Sequence, residues 1–268
     1  MQAKANDTLI LSDLHLGSET SRAREAQQLL KLRHFRRLIL LGDIFADLNF
    51  SRLSKDHWRF LSEVRKLSNP KRNIEVVWVE GNHDAGLTDL MSHLVGVRVY
   101  QEYAWICAGL RHLAIHGHQF DGFAIHQEFL SKFGTLIYLQ LQKLDLKGKT
   151  FSRLLDKLNT HWLRLSPKVC QGALDYARHR GFDRVFCGHT HAAMEAERGG
   201  VHYFNSGSWV EARPTYITVG EEGVEIHRYA GIDDCDPSQE RGGAVAEAAD
   251  LAYEAELFAE PEHEGLYC

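Results

Sequence analysis

Five short clusters of histidine and carboxylate punctuate the chain in a fixed order: Asp13-Leu14-His15, Gly42-Asp43, Gly81-Asn82-His83-Asp84, His116-Gly117-His118 and Gly188-His189-Thr190-His191. Each sits just after a short apolar run: Thr8–Leu11, Leu38–Leu41, Val76–Val79, Leu113–Ile115 and Val185–Cys187. Runs this short and this rich in Val, Ile and Leu read as buried strands, so each cluster reads as the loop at a strand's C-terminal end. A chain of this kind must fold so that five strand ends meet. Alternating β and α segments up to about residue 120 suit a layered α/β fold.

Residues 21–36 read as a helix with Leu29, Leu30 and Leu32 on its inner face, and 54–67 as a second with Trp58, Leu61 and Val64. After His191 the pattern turns to strands at 200–205, 215–219 and 224–229, with Gly220 to Gly223 as a hairpin turn. Two sheets flanked by helices are expected. Between the fourth and fifth clusters, residues 121–181 read as a helical insertion, with apolar residues such as Phe129, Phe133, Leu136 and Ile137 at helical spacing and ten Lys and Arg against five acids. Its stripes fit two readings: packing on one another and on the sheet, or a lid whose apolar faces hold a lipid chain while its basic residues meet phosphate or a membrane surface. A further helix is expected from Ser166-Pro167.

Asp, Asn and His are oxygen and nitrogen donors suited to Mn, Fe or Zn. Seven of them, Asp13, His15, Asp43, Asn82, His116, His189 and His191, could hold two cations with one carboxylate shared, and Asp43 is the natural bridge. Two cations about 3.5–4 Å apart can clamp a phosphoryl group and lower the pKa of a water toward neutrality. Water, made into hydroxide, is the expected nucleophile. A lone histidine after an apolar run is more often a packed core residue, but five such clusters in series reverse those odds. His34, His57, His93, His112, His126, His161, His179, His202 and His227 fall outside the pattern and read as surface or packing residues.

Composition excludes little else. At 268 residues and 44% hydrophobic content the chain can bury a full core, and it has no 18-residue apolar stretch. Its N-terminus runs into the first strand without a hydrophobic signal core, so a cytoplasmic location is expected. Five cysteines without a CxxC spacing suggest neither a disulfide framework nor a structural zinc site. Eleven acids and a single Arg241 occupy 231–268, leaving 30 basic against 25 acidic residues in 1–230. The expected organisation is therefore a mildly basic domain at 1–230, suited to an anionic substrate, and an acidic, mobile extension at 231–268 with helical tendency at 244–258.

The five clusters resemble the consensus of the calcineurin-like metallophosphoesterase superfamily, DxH, GD, GNH[DE], H and GHxH, complete and in order. The resemblance implies a four-layer αββα sandwich. It also implies that Asp13, His15, Asp43 and His191 hold one metal while Asp43, Asn82, His116 and His189 hold the other. His83 would touch the scissile phosphate or protonate the leaving group, with Asp84 orienting it. His118 matches no ligand position and reads as a neighbour of the site.

The order His116-Gly117-His118-Gln119-Phe120-Asp121, the helical insertion, Cys187 to His191 and Tyr203-Phe204-Asn205-Ser206-Gly207-Ser208-Trp209-Val210-Glu211 is similar, over 8–229, to the UDP-2,3-diacylglucosamine diphosphatase-related branch. That branch implies hydrolysis of a nucleotide-linked lipid diphosphate in lipid A biosynthesis, with two divalent ions, manganese foremost and iron or zinc as alternatives. On the lid reading, the insertion's basic residues would also make a peripheral contact at the inner face of the membrane. The chain departs from the branch at His83, where the lipid A enzymes carry arginine, at His118, where they carry aspartate, and at Ser206 and Ser208, where many relatives carry aspartate. A nucleotide or small phosphodiester is the alternative substrate, and a catalytically silent scaffold the alternative class. No aromatic-interleaved basic run points to nucleic acid.

Overall fold

A computed structural model describes residues 6–47, 49–86, 95–121 and 166–231. The helical reading of 122–165 and the acidic extension at 232–268 lie outside the described residues.

β1 (Asn6–Leu11), β2 (Phe35–Leu41) and β3 (Glu75–Val79) are the apolar runs that precede the first three clusters, and they pair in parallel. β4 (Val99–Tyr100) extends them on one side, while β10 (Thr215–Gly220) and β11 (Gly223–Arg228) extend them on the other as the expected hairpin, to give the order β11-β10-β1-β2-β3-β4. A second sheet has the order β5-β6-β7-β9-β8. Its members are β5 (Glu102–Cys107), β6 (Leu110–Ile115), β7 (Arg184–Cys187), β8 (Met194–Arg198) and β9 (Val201–Asn205). β6, β7 and β9 run parallel to one another.

β1 and β2 are apolar at successive positions because both faces are covered, the signature of a buried parallel sheet. Leu9, Leu11, Leu38 and Leu40 face a core shared with Leu29, Leu30, Phe60, Leu61 and Val64 of α1 (Ala23–Leu32) and α2 (Lys55–Leu67). The intervening Ile10, Ile39 and Leu41 face Ala114, Phe186 and Phe204 of the second sheet. Beyond that sheet, Leu113, Ile115, Val185 and Tyr203 meet Ala173, Leu174 and Ala177 of α3 (Ser166–His179). Helices, sheet, sheet and helix stack as the expected αββα sandwich. The helix that begins at Ser166 thus covers the outer face of the second sheet.

Two details depart from the pattern read in the sequence. α1 ends at Leu32, because Phe35 already pairs with Asn6 at the start of β2. In α2, Trp58 is 49% exposed, whereas His57, Phe60, Leu61, Val64 and Leu67 are buried. That spacing centres the inner arc well away from Trp58 on a helix of 100° per residue. The start of α2 is fixed by a reciprocal cap: His57 N donates to Ser54 Oγ and Ser54 N to His57 Nδ1. Gly17 N also donates to His57 Nδ1, at 3.2 Å, which ties the loop after His15 to this helix.

His112 packs fully buried against the rings of Trp105 and Phe186, with centroids 4.9 Å and 5.7 Å away. Burial, reinforced by Arg184, pushes its pKa down from 6.5 to about 4. A histidine whose folded pKa is depressed takes up protons more readily when unfolded, so its contribution to stability is present above about pH 6.5 and is lost as the pH falls toward 4. The fall in Tm between pH 7 and pH 5 is therefore expected to be smaller for His112→Phe than for the wild type. Equal falls in thermal unfolding would exclude this contribution.

Candidate metal centre

The C-terminal ends of β1, β2, β3, β6 and β7 carry the five clusters, and backbone hydrogen bonds continue the strand pairing into them. Asp13 N donates to Gly42 O and His15 N to Asp43 O, both at 3.0 Å, and Gly188 N to His116 O at 3.0 Å. Side chains then cross between loops: Asp43 Oδ1 accepts from His83 N at 2.8 Å, and Asp13 Oδ2 from His189 N at 3.1 Å. Among the described residues seven non-glycine positions have positive φ, and five of them are Asp13, His15, Asp43, His189 and His191, at +47° to +65°. Such conformations are disfavoured for L residues and persist where their surroundings over-determine them.

Close approach explains two of the glycines. A Cβ at Gly81 would lie 2.2 Å from the backbone N of Asp43, and one at Gly188 would lie 2.4 Å from Asp13 Oδ2. Neither position has room for a side chain: the Asp43 backbone blocks the first, and Ser12 together with the Asp13 carboxylate blocks the second.

Among the described residues three groups of side chains each present ligand atoms within 4.8 Å of one another: Asp13, His15 and His191; Asp43, His116 and His189; and His15, Asp43 and His83. His15 Nε2 faces His191 Nε2 at 3.1 Å, and His191 Nε2 lies 3.2 Å from Asp13 Oδ1. His116 Nε2 lies 3.2 Å from Asp43 Oδ2, while His116 Nδ1 is held by the Leu41 carbonyl at 2.9 Å. Two ligands each about 2.1 Å from one ion at a right angle stand about 3.0 Å apart, so these separations fit shared coordination. Asp13 Oδ1 and His116 Nε2 are buried with no hydrogen-bond partner, as expected of atoms whose partner is a cation. The residues present fit divalent ions.

Charge is arranged to match. Burial works against ionisation of Asp43, yet His116, His83 and His15 outweigh it and hold the carboxyl well below the usual range. Asp13 is lowered in the same way, burial being outweighed mainly by His191. His116 is pushed up to about 9 because Asp43 overcomes the effect of burial, and His191 is raised by Asp13 against burial. His15 falls to about 3, chiefly through burial. Carboxylates thus stay anionic at the centre of the site, where a cation can replace the imidazolium charge.

Asp13, His15, Asp43, His116, His189 and His191 all fall in these groups, as does His83. Asn82 sits between Gly81 and His83, whose backbones abut Asp43, and is exposed. His83 Nδ1 lies 2.8 Å from the Ala46 carbonyl, and its ring stands edge-on to His15 at 5.2 Å. Asp84 differs from the expectation that it orients His83. Its carboxylate accepts from Ile44 N at 3.0 Å and Phe45 N at 2.9 Å, so it braces the loop that follows Asp43, and Ala46 in that loop holds His83. Burial and the nearby Asp43 push the Asp84 carboxyl up to about 7. His118 lies beside the site, 5.5 Å from His116 and 6.3 Å from His189 between ring centroids.

Reading of the sequence missed Asn205. Fully buried at the end of β9, its Nδ2 donates to Gly188 O at 2.6 Å and Thr190 Oγ1 at 3.1 Å, and its Oδ1 accepts from Gly207 N at 2.9 Å. It clamps the turn between His189 and His191. Ser206 Oγ donates to Ser12 Oγ, and Ser12 Oγ to Gly207 O, which ties the same loop to Asp13's neighbour. The available signal was the run Asn205-Ser206-Gly207-Ser208 at a strand's end. Asn205→Ala removes one of the two donors to the Gly188 carbonyl and takes the Oδ1 acceptor from the buried Gly207 N–H, and is expected to cost about 1–3 kcal/mol of stability. Denaturant unfolding measures this, and a change within about 0.5 kcal/mol would contradict the clamp.

The chain is similar in structure to an archaeal phosphodiesterase, with 16% identity, a TM-score of 0.46, and 82% of this chain and 98% of that chain covered. It is similar also to Vps29 of Chaetomium thermophilum, with 12% identity, a TM-score of 0.44, and 82% and 95% covered. Vps29 of Cryptosporidium parvum matches with 13% identity, a TM-score of 0.44, and 84% and 97% covered. No curated protein matches the chain in sequence. The model of the calcineurin-like phosphoesterase superfamily domain matches residues 7–221. With that match spanning both sheets and all five clusters, the chain belongs to the calcineurin-like phosphoesterase superfamily and is a metal-dependent phosphoesterase.

Proposed function

We propose that the protein hydrolyses a phosphoester or diphosphate with two divalent cations, manganese foremost, bridged by Asp43. Asp13, His15, Asp43 and His191 would hold one, and Asp43, Asn82, His116 and His189 the other. The observation that carries this reading is that Asp43 shares one group with His15 and another with His116 and His189. Bound cations supply Lewis acidity toward the phosphoryl oxygens and lower the pKa of a nearby water. The chain's own residues do the rest. The His15–His83 edge of the site is where the phosphate is positioned. Because Nδ1–H of His83 donates to the Ala46 carbonyl, Nε2 is the nitrogen left to face the substrate, and in the imidazolium form it would donate to a phosphate oxygen or to the leaving group.

For the substrate we take a nucleotide-linked lipid, UDP-2,3-diacylglucosamine or a relative, as the leading candidate, with a nucleotide or other small phosphodiester second. Support for the lipid is the motif order and the apolar, basic segment at 122–165, which would also make a peripheral membrane contact. Among the described residues no helix is long and apolar enough to cross a membrane. The manganese-loaded protein should turn over detergent-dispersed UDP-2,3-diacylglucosamine faster than bis-p-nitrophenyl phosphate or cyclic nucleotides. No turnover of the lipid together with turnover of the diesters would transfer the assignment to the second candidate.

Two substitutions test the assignment of roles. Asp43→Asn removes the shared charge and should lower metal content and hydrolysis together, measured side by side by elemental analysis and assay. His83→Ala keeps the backbone N–H that binds Asp43, so metal content should stay near normal while kcat falls by roughly 10²–10⁴. Loss of metal without a separate kinetic defect would make His83 a ligand.

A further inference from the structure

Asp121 belongs to none of the five clusters, yet it is buried at 1% exposure beside one of their histidines. Its Oδ2 lies 3.4 Å from Nε2 of His189, itself 4% exposed. The carboxylate is presented by a short 3-10 turn, His118–Phe120, that directly follows β6 and His116, and Asp121 N donates back to His118 O at 3.2 Å. That turn is wedged against α3. A Cβ at Gly172 would lie 2.8 Å from Phe120 Cβ, and the rings of Phe120 and Tyr176 stand 5.6 Å apart. On its other side, His189 is held through its backbone, whose N–H donates to Asp13 Oδ2 at 3.1 Å.

We infer that Asp121 is a positioning residue for the metal centre: it fixes His189 with the proton on Nε2 and the Nδ1 lone pair turned toward Asp43 and His116. This rests on the reading of His189 as a ligand. An imidazole can offer only one nitrogen to a cation, and the hydrogen bond made by the other decides which one. His116 in the same group is fixed by a neutral carbonyl, that of Leu41. His189 instead faces a carboxylate, which favours the donor tautomer more strongly and makes the ligating nitrogen more basic. The buried pair also couples the packing of α3 on the second sheet to the orientation of a ligand. No such link is readable from the cluster His189 belongs to.

The test uses the full chain with Mn²⁺ binding measured by equilibrium dialysis and isothermal titration, and with Zn²⁺ for long-range ¹H–¹⁵N spectra of the histidine rings. Asp121→Ala should weaken binding at one of the two cation sites by about 10- to 100-fold while the other changes little, and the Nε2-protonated signal of His189 should be lost. Asp121→Asn keeps an acceptor without the charge and should lose less, at least about threefold. Should the alanine variant fail to fold, the asparagine variant decides. Wild-type affinity at both sites with an unchanged His189 tautomer in the folded variants would overturn the inference. His189→Ala separates it from the reading beneath. If His189→Ala loses a cation while the Asp121 variants do not, only the positioning role fails; if His189→Ala keeps both, the ligand assignment itself is wrong and the inference falls with it.

Discussion

Everything at the strand ends turns on the Asp43 carboxylate. It is nearly fully buried, with His116 Nε2 at 3.2 Å from one oxygen and the His83 N–H at 2.8 Å from the other. The backbone of Gly81 runs so close to it that only glycine fits. An isolated buried carboxylate is costly by many kcal/mol and would take up a proton to escape the cost. Here the surrounding histidines hold it ionised against burial. The fold thus maintains a fixed negative charge in a dry place, which is the precondition for gathering cations there.

The sandwich supplies that place through topology. Parallel strands in one sheet end at the same edge, and ligands of α/β sheets collect outside those carboxyl ends. This protein has two such sheets face to face, packed through Ile10, Ile39, Leu41, Ala114, Phe186 and Phe204. β1, β2 and β3 deliver Asp13, His15, Asp43 and His83, while β6 and β7 deliver His116, His189 and His191. Each group that could hold an ion, apart from that of His15, Asp43 and His83, takes residues from both sheets. The inter-sheet core therefore sets the spacing of the ligands, and a shift of one sheet against the other would open both groups at once.

Backbone conformation is the second requirement. The positive φ angles of Asp13, His15, Asp43, His189 and His191 turn the chain sharply as it leaves each strand, so that neighbouring side chains converge and do not alternate across the sheet. Sparsely populated conformations of this kind cost of order 1–3 kcal/mol each. The hydrogen bonds of Asp13, Asp43, Asp84 and Asn205 to loop atoms oppose that cost. Asp84 and Asn205 thereby do their work on the backbone: one supports the loop that holds His83, the other the turn between His189 and His191.

Most of the scaffold, and the convergence of Asp13, His15, Asp43, His116, His189 and His191, was legible in the residues alone. Apolar runs of three or four residues rich in Val, Ile and Leu read as buried strands, and polar donors placed just after them then lie at the strand ends. Local pattern could not say which end of a helical stretch yields to a strand, so α1 was drawn too long. Nor could it decide which of two adjacent arcs of α2 faces inward, so Trp58 was placed in the core. The bracing by Asp84, the clamp by Asn205 and the approach of Asp121 to His189 were beyond it for a deeper reason. Asp84 reaches back 40 positions, Asn205 reaches 17 and Asp121 reaches 68 to their partners. A short sequence motif records what a residue can donate or accept. Which of its neighbours in space takes up that offer is decided only when the sheets pack and bring distant segments within about 3 Å.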